Sequence, residues 1–309
     1  MVSNLRCRPR QACLAILIIG CGSIGAVRAL ETKSISGLGR ELKVMSFNIR
    51  FGTANDGDNH WDKRQELVAE TIELFSPDLL GVQEALDFQC GFLRTRLSAH
   101  EFFGRSREQN PTSGEYCGIF FRTERFELLE SGHFWLSEQP DEPGSKSWDS
   151  SLPRMVSWVR LRDRLSQDAE FVFANTHFDH RGPEARLQSA ILIRGRLIEG
   201  RDVPFILTGD FNCGFQSEPY QALVGTPDET ERQMRDSYLD IHPKPSGQDG
   251  SFSSWNGDTS GERIDWILHT GEFVTLNADI DHLQQQGRFP SDHFPVNAIL
   301  KLKLPGVTK

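Results

Sequence analysis

The sequence predicts an α/β protein in which two packed β-sheets are flanked by helices. Three observations lead there. Short apolar runs recur along the chain, patterns of helical spacing fall between several of them, and other runs follow one another directly as paired strands.

Residues 42–49 alternate with period two and read as a strand. Between residues 61 and 75, Leu67, Val68, Thr71, Ile72 and Phe75 fall at helical spacing, and Ser76-Pro77 ends that helix. Residues 78–84 form a second short apolar strand, and residues 86–99 a helix. Further strands are expected at 117–122, 126–136, 155–161, 171–177, 203–208, 263–268 and 295–302. Gly182-Pro183 opens a helix running to residue 198, and a short one is expected at 218–223. Residues 104–115, 138–152 and 225–262, rich in Gly, Ser, Pro and charge, read as surface loops.

The 309 residues are 38% hydrophobic, 10% aromatic and 25% charged, which is the make-up of a globular protein with a large core. With 34 Lys and Arg against 43 Asp and Glu, the net charge of −9 disfavours capture of nucleic acid by bulk charge. No repeat and no change of composition interrupts residues 42–303, which are expected to form one domain after a linker at 30–41.

The first 29 residues differ in kind. Arg6, Arg8 and Arg10 precede an apolar stretch from Ala12 to Val27, and Val27-Arg28-Ala29 is a small-residue site that a signal peptidase could cut. The stretch is shorter and richer in Gly than a membrane span of roughly 20 apolar residues. It reads as a signal for export to the periplasm or beyond. Ile18-Ile19-Gly20-Cys21 also fits a bacterial lipobox, which would leave Cys21 lipidated as the sole membrane anchor, and an uncleaved anchor would leave the domain outside the cytoplasm too. Removing residues 1–29 leaves 30 basic against 43 acidic residues, a balance of −13. Cys7, Cys13 and Cys21 lie in this segment, leaving Cys90, Cys117 and Cys213, among which a Cys90 to Cys117 bridge is one option. None has a partner at zinc spacing.

Several core-like strands end in polar groups. Asn48 ends the first, Glu84 the second, His177 another, and Asp210 and Asn212 a fourth, while Asp265 opens one strand and Asp292-His293 precede the last. If the strand ends share one rim, these groups converge on a cleft. Carboxylates and amides without thiolates suit a hard divalent cation, and neutral His beside Asp suits proton transfer. A metal, an Asp that activates water and a His that stabilises charge are the means of phosphoester hydrolysis.

Met45-Ser-Phe-Asn-Ile-Arg50, Val82-Gln-Glu-Ala85, Asn175-Thr-His177, Thr208-Gly-Asp-Phe-Asn212, Arg263-Ile-Asp265 and Ser291-Asp-His-Phe-Pro295 follow one another in a set order over residues 42–302. In these the chain resembles the endonuclease/exonuclease/phosphatase superfamily, the DNase I-like metal-dependent phosphoesterases. The resemblance implies a four-layer α/β sandwich. It implies that Glu84, with Asn48 and Asp292, holds Mg²⁺, with Mn²⁺ as an alternative. Asp210 would activate the water, Asn212 hold the phosphate, His293 face it with its ring oriented by Asp265, and His177 serve as a second phosphate-facing histidine.

Asn55-Asp-Gly-Asp-Asn-His-Trp61, Ser147-Trp-Asp-Ser-Ser-Leu-Pro-Arg154 and Thr176-His-Phe-Asp-His-Arg-Gly182 are similar to an uncharacterised bacterial branch of that superfamily. Arg154, Asp179, His180, Arg181 and Arg186 are therefore candidates for lining the cleft and selecting the substrate, and Tyr116 for contacting phosphate. The expected function is hydrolysis of a phosphodiester or phosphomonoester by a monomeric exported enzyme. Nuclease, phospholipase and small phosphate-ester hydrolase all stay open. A catalytically silent phosphate-binding module of the same fold is the alternative, which the retention of Asp210, Asp292 and His293 disfavours.

Overall fold

The computed structural model describes residues 37–304 except 226–231 and 245. Export signal, lipobox and the first part of the 30–41 linker lie outside the described residues. Six strands make one sheet: β1 (Leu42–Asn48), β2 (Leu79–Ala85), β3 (His100–Phe103), β4 (Tyr116–Arg122), β11 (Phe273–Ile280) and β12 (Val296–Leu302), in the order β11-β12-β1-β2-β4-β3. Six more make the other: β5 (Phe126–Trp135), β6 (Met155–Asp163), β7 (Ala169–His177), β8 (Phe205–Asp210), β9 (Met234–Asp236) and β10 (Asp265–Thr270), in the order β5-β6-β7-β8-β10-β9.

Each sheet holds one parallel pair at its centre. β1 and β2 are joined through helix α1 (Gln65–Phe75), β7 and β8 through helix α3 (Pro183–Ile193), and the other neighbours run antiparallel. Parallel strands need such a crossover, whereas antiparallel ones need only a turn.

Period-two alternation sets the layers. Leu42 and Val44 of β1, Phe171 and Phe173 of β7, Ile206 of β8 and Ile267 of β10 share one core between the sheets. Met45 and Phe47 face a second core with Val68 and Ile72 of α1 and Leu93 of helix α2 (Asp87–Arg96). Phe205 and Leu207 face a third with Ala190 and Ile193 of α3 and Leu223 of helix α4 (Glu218–Val224). The order helix, sheet, sheet, helix is the four-layer α/β sandwich.

Local differences from the sequence reading have local causes. The expected helix over 61–75 is split into a 3₁₀ turn at Trp61–Lys63 and α1. Between them the buried Arg64 spends its guanidinium on the carbonyls of Ile49, Arg50, Asn59 and Pro290. A left-handed Ser76 ends α1. The helix from residue 183 stops at Ile193, and a π-turn continues over Arg194–Ile198. The span 225–262 is not all loop: it holds β9 and a five-residue helix, α5 (Ser237–Ile241), capped by the Asp236 side chain on the Tyr238 N–H. β3 and β9 are edge strands of four and three residues, too short to show a period. β11 is an edge strand whose alternation is broken by a bulge between Thr275 and Asn277.

Cys90, Cys117 and Cys213 are free thiols, so no Cys90 to Cys117 bridge forms. Cys90 sits on α2 in the helix-side core, while Cys117 points to the opposite face of β4 against Trp135 and Met155. Residues 37–39 pair with the far end of the domain, where the Gly39 N–H donates to Leu302 O and the Leu304 N–H to Gly37 O. Among the described residues no helix is long and apolar enough to cross a membrane.

Candidate active site

The core between the sheets changes character toward one rim. On β7 the inner face runs Phe171, Phe173, Asn175, His177; on β8, Ile206, Thr208, Asp210; on β1, Leu42, Val44, Ser46, Asn48. First comes a buried polar layer. Gln83 Nε2 donates to Asn175 Oδ1 (2.6 Å) and Ser46 Oγ (3.2 Å), and Thr208 Oγ1 donates to Asn175 Oδ1 (3.1 Å). Asn175 Nδ2 in turn donates across to the carbonyls of Val82 and Gly118, both at 2.9 Å. Room for this layer exists because residue 81 is glycine: a Cβ there would stand 2.2 Å from Thr208 Oγ1 and 2.5 Å from Asn175 Oδ1. Two residues further on, the same faces present Asn48, His177 and Asp210, and Asp265 joins them with the parity of Ile267.

Glu84 breaks this parity. Leu80 and Val82 face the helices, so simple alternation would send Glu84 there too. The pairing of β2 with β4 shifts between Val82 and Ala85, and Glu84 takes φ 62°, which returns its carboxylate to the cleft. Its Oε1 accepts from Asn48 Nδ2 (3.0 Å) and its Oε2 from the Phe51 N–H (3.2 Å).

Asp210 is the hub. Oδ2 accepts from Asn48 Nδ2 at 2.9 Å and lies 3.4 Å from His177 Nε2 and 3.7 Å from His293 Nε2; Oδ1 accepts from the Asn212 N–H at 2.9 Å. His293 Nδ1 sits 2.9 Å from Asp265 Oδ2. Burial and the nearby Asp265 charge push the Asp210 carboxyl up to about 7. Burial opposes the charged His293 ring, but the Asp265 and Asp210 carboxylates outweigh it and raise His293 to about 10. Burial, reinforced by Arg154 and Arg107, holds His177 well below the ordinary histidine range, so it is neutral. Burial pushes Asp292 above the usual carboxylate range.

All eight residues given catalytic or metal roles by the sequence thus meet around one cleft of about 700 Å³. The atoms of Glu84, His177 and Asp210 that could hold a cation lie within 4.8 Å of one another, as do those of Asp210, Asp265 and His293. The second trio is tied up in the His293 to Asp265 hydrogen bond and is better suited to holding a proton. A hard cation fits the oxygen donors of Glu84 and Asp292, because a positive group already lies between them: Arg50 is 3.9 Å from Glu84 Oε2 and 3.6 Å from Asp292 Oδ2. Asn48 adds an amide oxygen, now accepting from the Arg50 N–H at 3.0 Å.

The six expected substrate contacts divide. Arg154 and His180 line the cleft. Asp179 does not: its oxygens accept from the backbone N–H groups of Ser151, Leu152, Arg181 and Gly182, and those bonds hold its carboxyl well below the usual range against the opposing effect of burial. Arg186 lies on the first turn of α3 and donates to Asp179 O, and Arg181 is exposed outside the cleft lining. Tyr116 is turned into the helix-side core, where its hydroxyl donates to Asp87 on α2.

Sequence reasoning missed other lining residues: Arg50, Asp56, Arg107, Glu115 and the aromatics Phe51, Phe252 and Trp255. Arg50 closed a quoted motif and could have been weighed as a cation beside two acids. A Trp within a Gly- and Ser-rich loop was a signal that the loop is anchored. Ser253 and Ser254 do anchor it, donating their N–H groups to Asp292 O at 2.7 and 3.1 Å. Arg107 and Glu115 pair at 2.7 and 2.8 Å from a segment read as loop and gave no signal. Five cleft residues, Arg50, Glu84, Asn212, Ser254 and Trp255, have positive φ.

The Endonuclease/Exonuclease/phosphatase family model matches residues 45–293. A crystal structure of an endonuclease/exonuclease/phosphatase from Bacteroides vulgatus is 32% identical with a TM-score of 0.77, covering 85% of this chain and 99% of that one. A mannosyl-6-phosphatase from Bacteroides thetaiotaomicron is 32% identical with a TM-score of 0.73, covering 84% and 99%. Nocturnin from Rattus norvegicus is 24% identical over 285 residues, 82% of this chain and 63% of that protein. The chain thus spans less than two thirds of the length of the curated relatives it matches first.

Proposed function

This chain belongs to the Endonuclease/Exonuclease/phosphatase family, whose members hydrolyse phosphoester bonds, and from that premise we propose that it is a metal-dependent hydrolase of small phosphate esters. Asp210 carries the reading: a buried carboxyl raised to about 7, with two histidines beside it and the Asn48 amide and the Asn212 backbone N–H donating to it. A base near the working pH is the most effective one.

When bound by Glu84, Asp292 and Asn48, a divalent cation, Mg²⁺ first among them, supplies neutralisation of phosphate charge. Asp210 takes a proton from the attacking water as the water oxygen bonds to phosphorus; the ester P–O bond breaks, and its electron pair leaves with the alcohol oxygen, which takes a proton from solvent water. The charged His293 ring, held by Asp265, donates to a phosphate oxygen. Asn212 positions another through its amide, whose nitrogen now donates to Phe178 O at 3.1 Å. The acidic balance and the name of the Bacteroides thetaiotaomicron relative support a small ester over a long polyanion.

The test is a panel of p-nitrophenyl phosphate, bis-p-nitrophenyl phosphate, sugar phosphates, DNA and RNA, with Mg²⁺ and with EDTA. EDTA-sensitive turnover of a small ester is expected. Turnover of none, with phosphate binding unaffected by Asp210→Ala, would favour a silent binding module.

A further inference from the structure

Arg154 is the least satisfied buried cation in the cleft. It directly precedes β6, is 3% exposed, and lines the cavity. Its Nη2 reaches His180 Nδ1 at 3.0 Å and its Nε lies 3.5 Å from Asp179, but Nε and Nη1 have no hydrogen-bond partner. Asp179 cannot turn to meet it, because its oxygens are already committed to four backbone N–H groups. Nearby Arg107 is 7% exposed and is clamped by both oxygens of Glu115, so that acid is committed too. A buried guanidinium N–H without an acceptor is costly, and the acceptor that fits it best is an anionic oxygen.

Arg154 lines the same cavity as His177, Asp210, Asn212 and His293, which puts it in the wall around the reacting centre. The acidic pole formed by Glu84, Asp292 and Asp56 is bridged instead by Arg50. A phosphate at Asp210 therefore meets a metal-holding side, a His293 and Asn212 side, and a third, cationic side where Arg154 offers two free donors, Nε and Nη1, against the single Nε of the Glu115-clamped Arg107. A phosphodiester has two non-bridging oxygens and fills the first two sides. A phosphomonoester has a third.

We propose that Arg154 takes the third non-bridging oxygen of a terminal phosphate and so selects phosphomonoesters over phosphodiesters. This rests on the phosphoesterase reading above and adds the substrate class to it. Arg107, held by Glu115, is the positioning residue that keeps acids of the cleft from closing on Arg154.

The experiment compares kcat/KM for p-nitrophenyl phosphate and bis-p-nitrophenyl phosphate in the wild-type protein, Arg154→Gln and Arg154→Lys, with melting curves for each. Wild type is expected to prefer the monoester. Arg154→Gln should lower the monoester-to-diester ratio by about 10- to 100-fold, the range for hydrogen bonds to a charged group, with Arg154→Lys recovering part. A ratio unchanged in a folded variant overturns the proposal. Turnover of neither ester by wild type defeats the phosphoesterase reading alone, since calorimetry with inorganic phosphate and with dimethyl phosphate reads the same preference without chemistry. Equal binding of the two by wild type overturns the proposal, and that measurement stands even if both variants misfold.

Discussion

Asp265 Oδ2 lies 2.9 Å from His293 Nδ1, and the two residues are held by opposite sheets: Asp265 opens β10, and His293 lies in the segment leading into β12, three residues before its first residue, Val296. Asn48 and Asp210 cross the same boundary at 2.9 Å. The chemistry is therefore assembled by the packing of the sheets, and neither sheet alone holds a complete set of groups.

The pH dependence follows from this dyad. Turnover should rise as Asp210 loses its proton near pH 7 and fall as His293 loses its own near pH 10. Asp265 raises both groups, so Asp265→Asn should move both limbs of the kcat/KM profile to lower pH. A profile whose limbs stay in place in that variant would show that Asp265 does not act on either group.

Asp210→Asn and His293→Ala should each lower kcat by at least ~10²-fold while the protein stays folded, because both groups act on the transition state. Steady-state kinetics with circular dichroism checks this.

Metal removal should abolish turnover, and Mg²⁺ should restore it. Even an indirect partner of a bound metal is worth about 10- to 100-fold in affinity, so Glu84→Gln should raise the Mg²⁺ concentration for half activation by at least about 10-fold. A titration of activity against Mg²⁺ decides it.

Gly81→Ala would drive a methyl group into Thr208 and Asn175. Overpacking of that kind costs about 1–3 kcal/mol, so the melting temperature should fall by several degrees. A melting curve that does not move would mean that the polar layer between the sheets yields freely.

His133 stacks on Phe103 at 4.5 Å, and burial with Arg105 nearby lowers it to about 4. The unfolded ring binds a proton near pH 6.5 and the folded one does not until about 4. The stability it contributes is thus complete above about pH 6.5 and is lost as pH falls toward 4. Urea unfolding at pH 7.5 and 5 should show a loss of order 1 kcal/mol that His133→Gln lacks.

The sandwich and the residues of the rim were legible because both follow from alternation: core-like strands whose inner parity ends in Asn48, His177 and Asp210. Glu84 was legible only through its motif, since its parity is wrong and a bulge corrects it. Strands β3, β9 and β11 were not, because β3 and β9 are too short to show a period and the alternation of β11 is broken by its bulge. The cationic side of the cleft was half legible. Arg154 was found, but Arg181 and Arg186 were drawn in by proximity along the chain, whereas Arg107 enters from a segment 47 positions earlier than Arg154, with no local pattern to announce it.

Arg50, Glu84, Asn212, Ser254 and Trp255 hang from left-handed backbone, a conformation worth of order 1 kcal/mol of strain for each non-glycine residue. Replacement by glycine at Arg50, Glu84 or Asn212 would relax that strain and at the same time delete a side chain the site uses. At those three positions, a gain in heat resistance would come at the expense of reactivity.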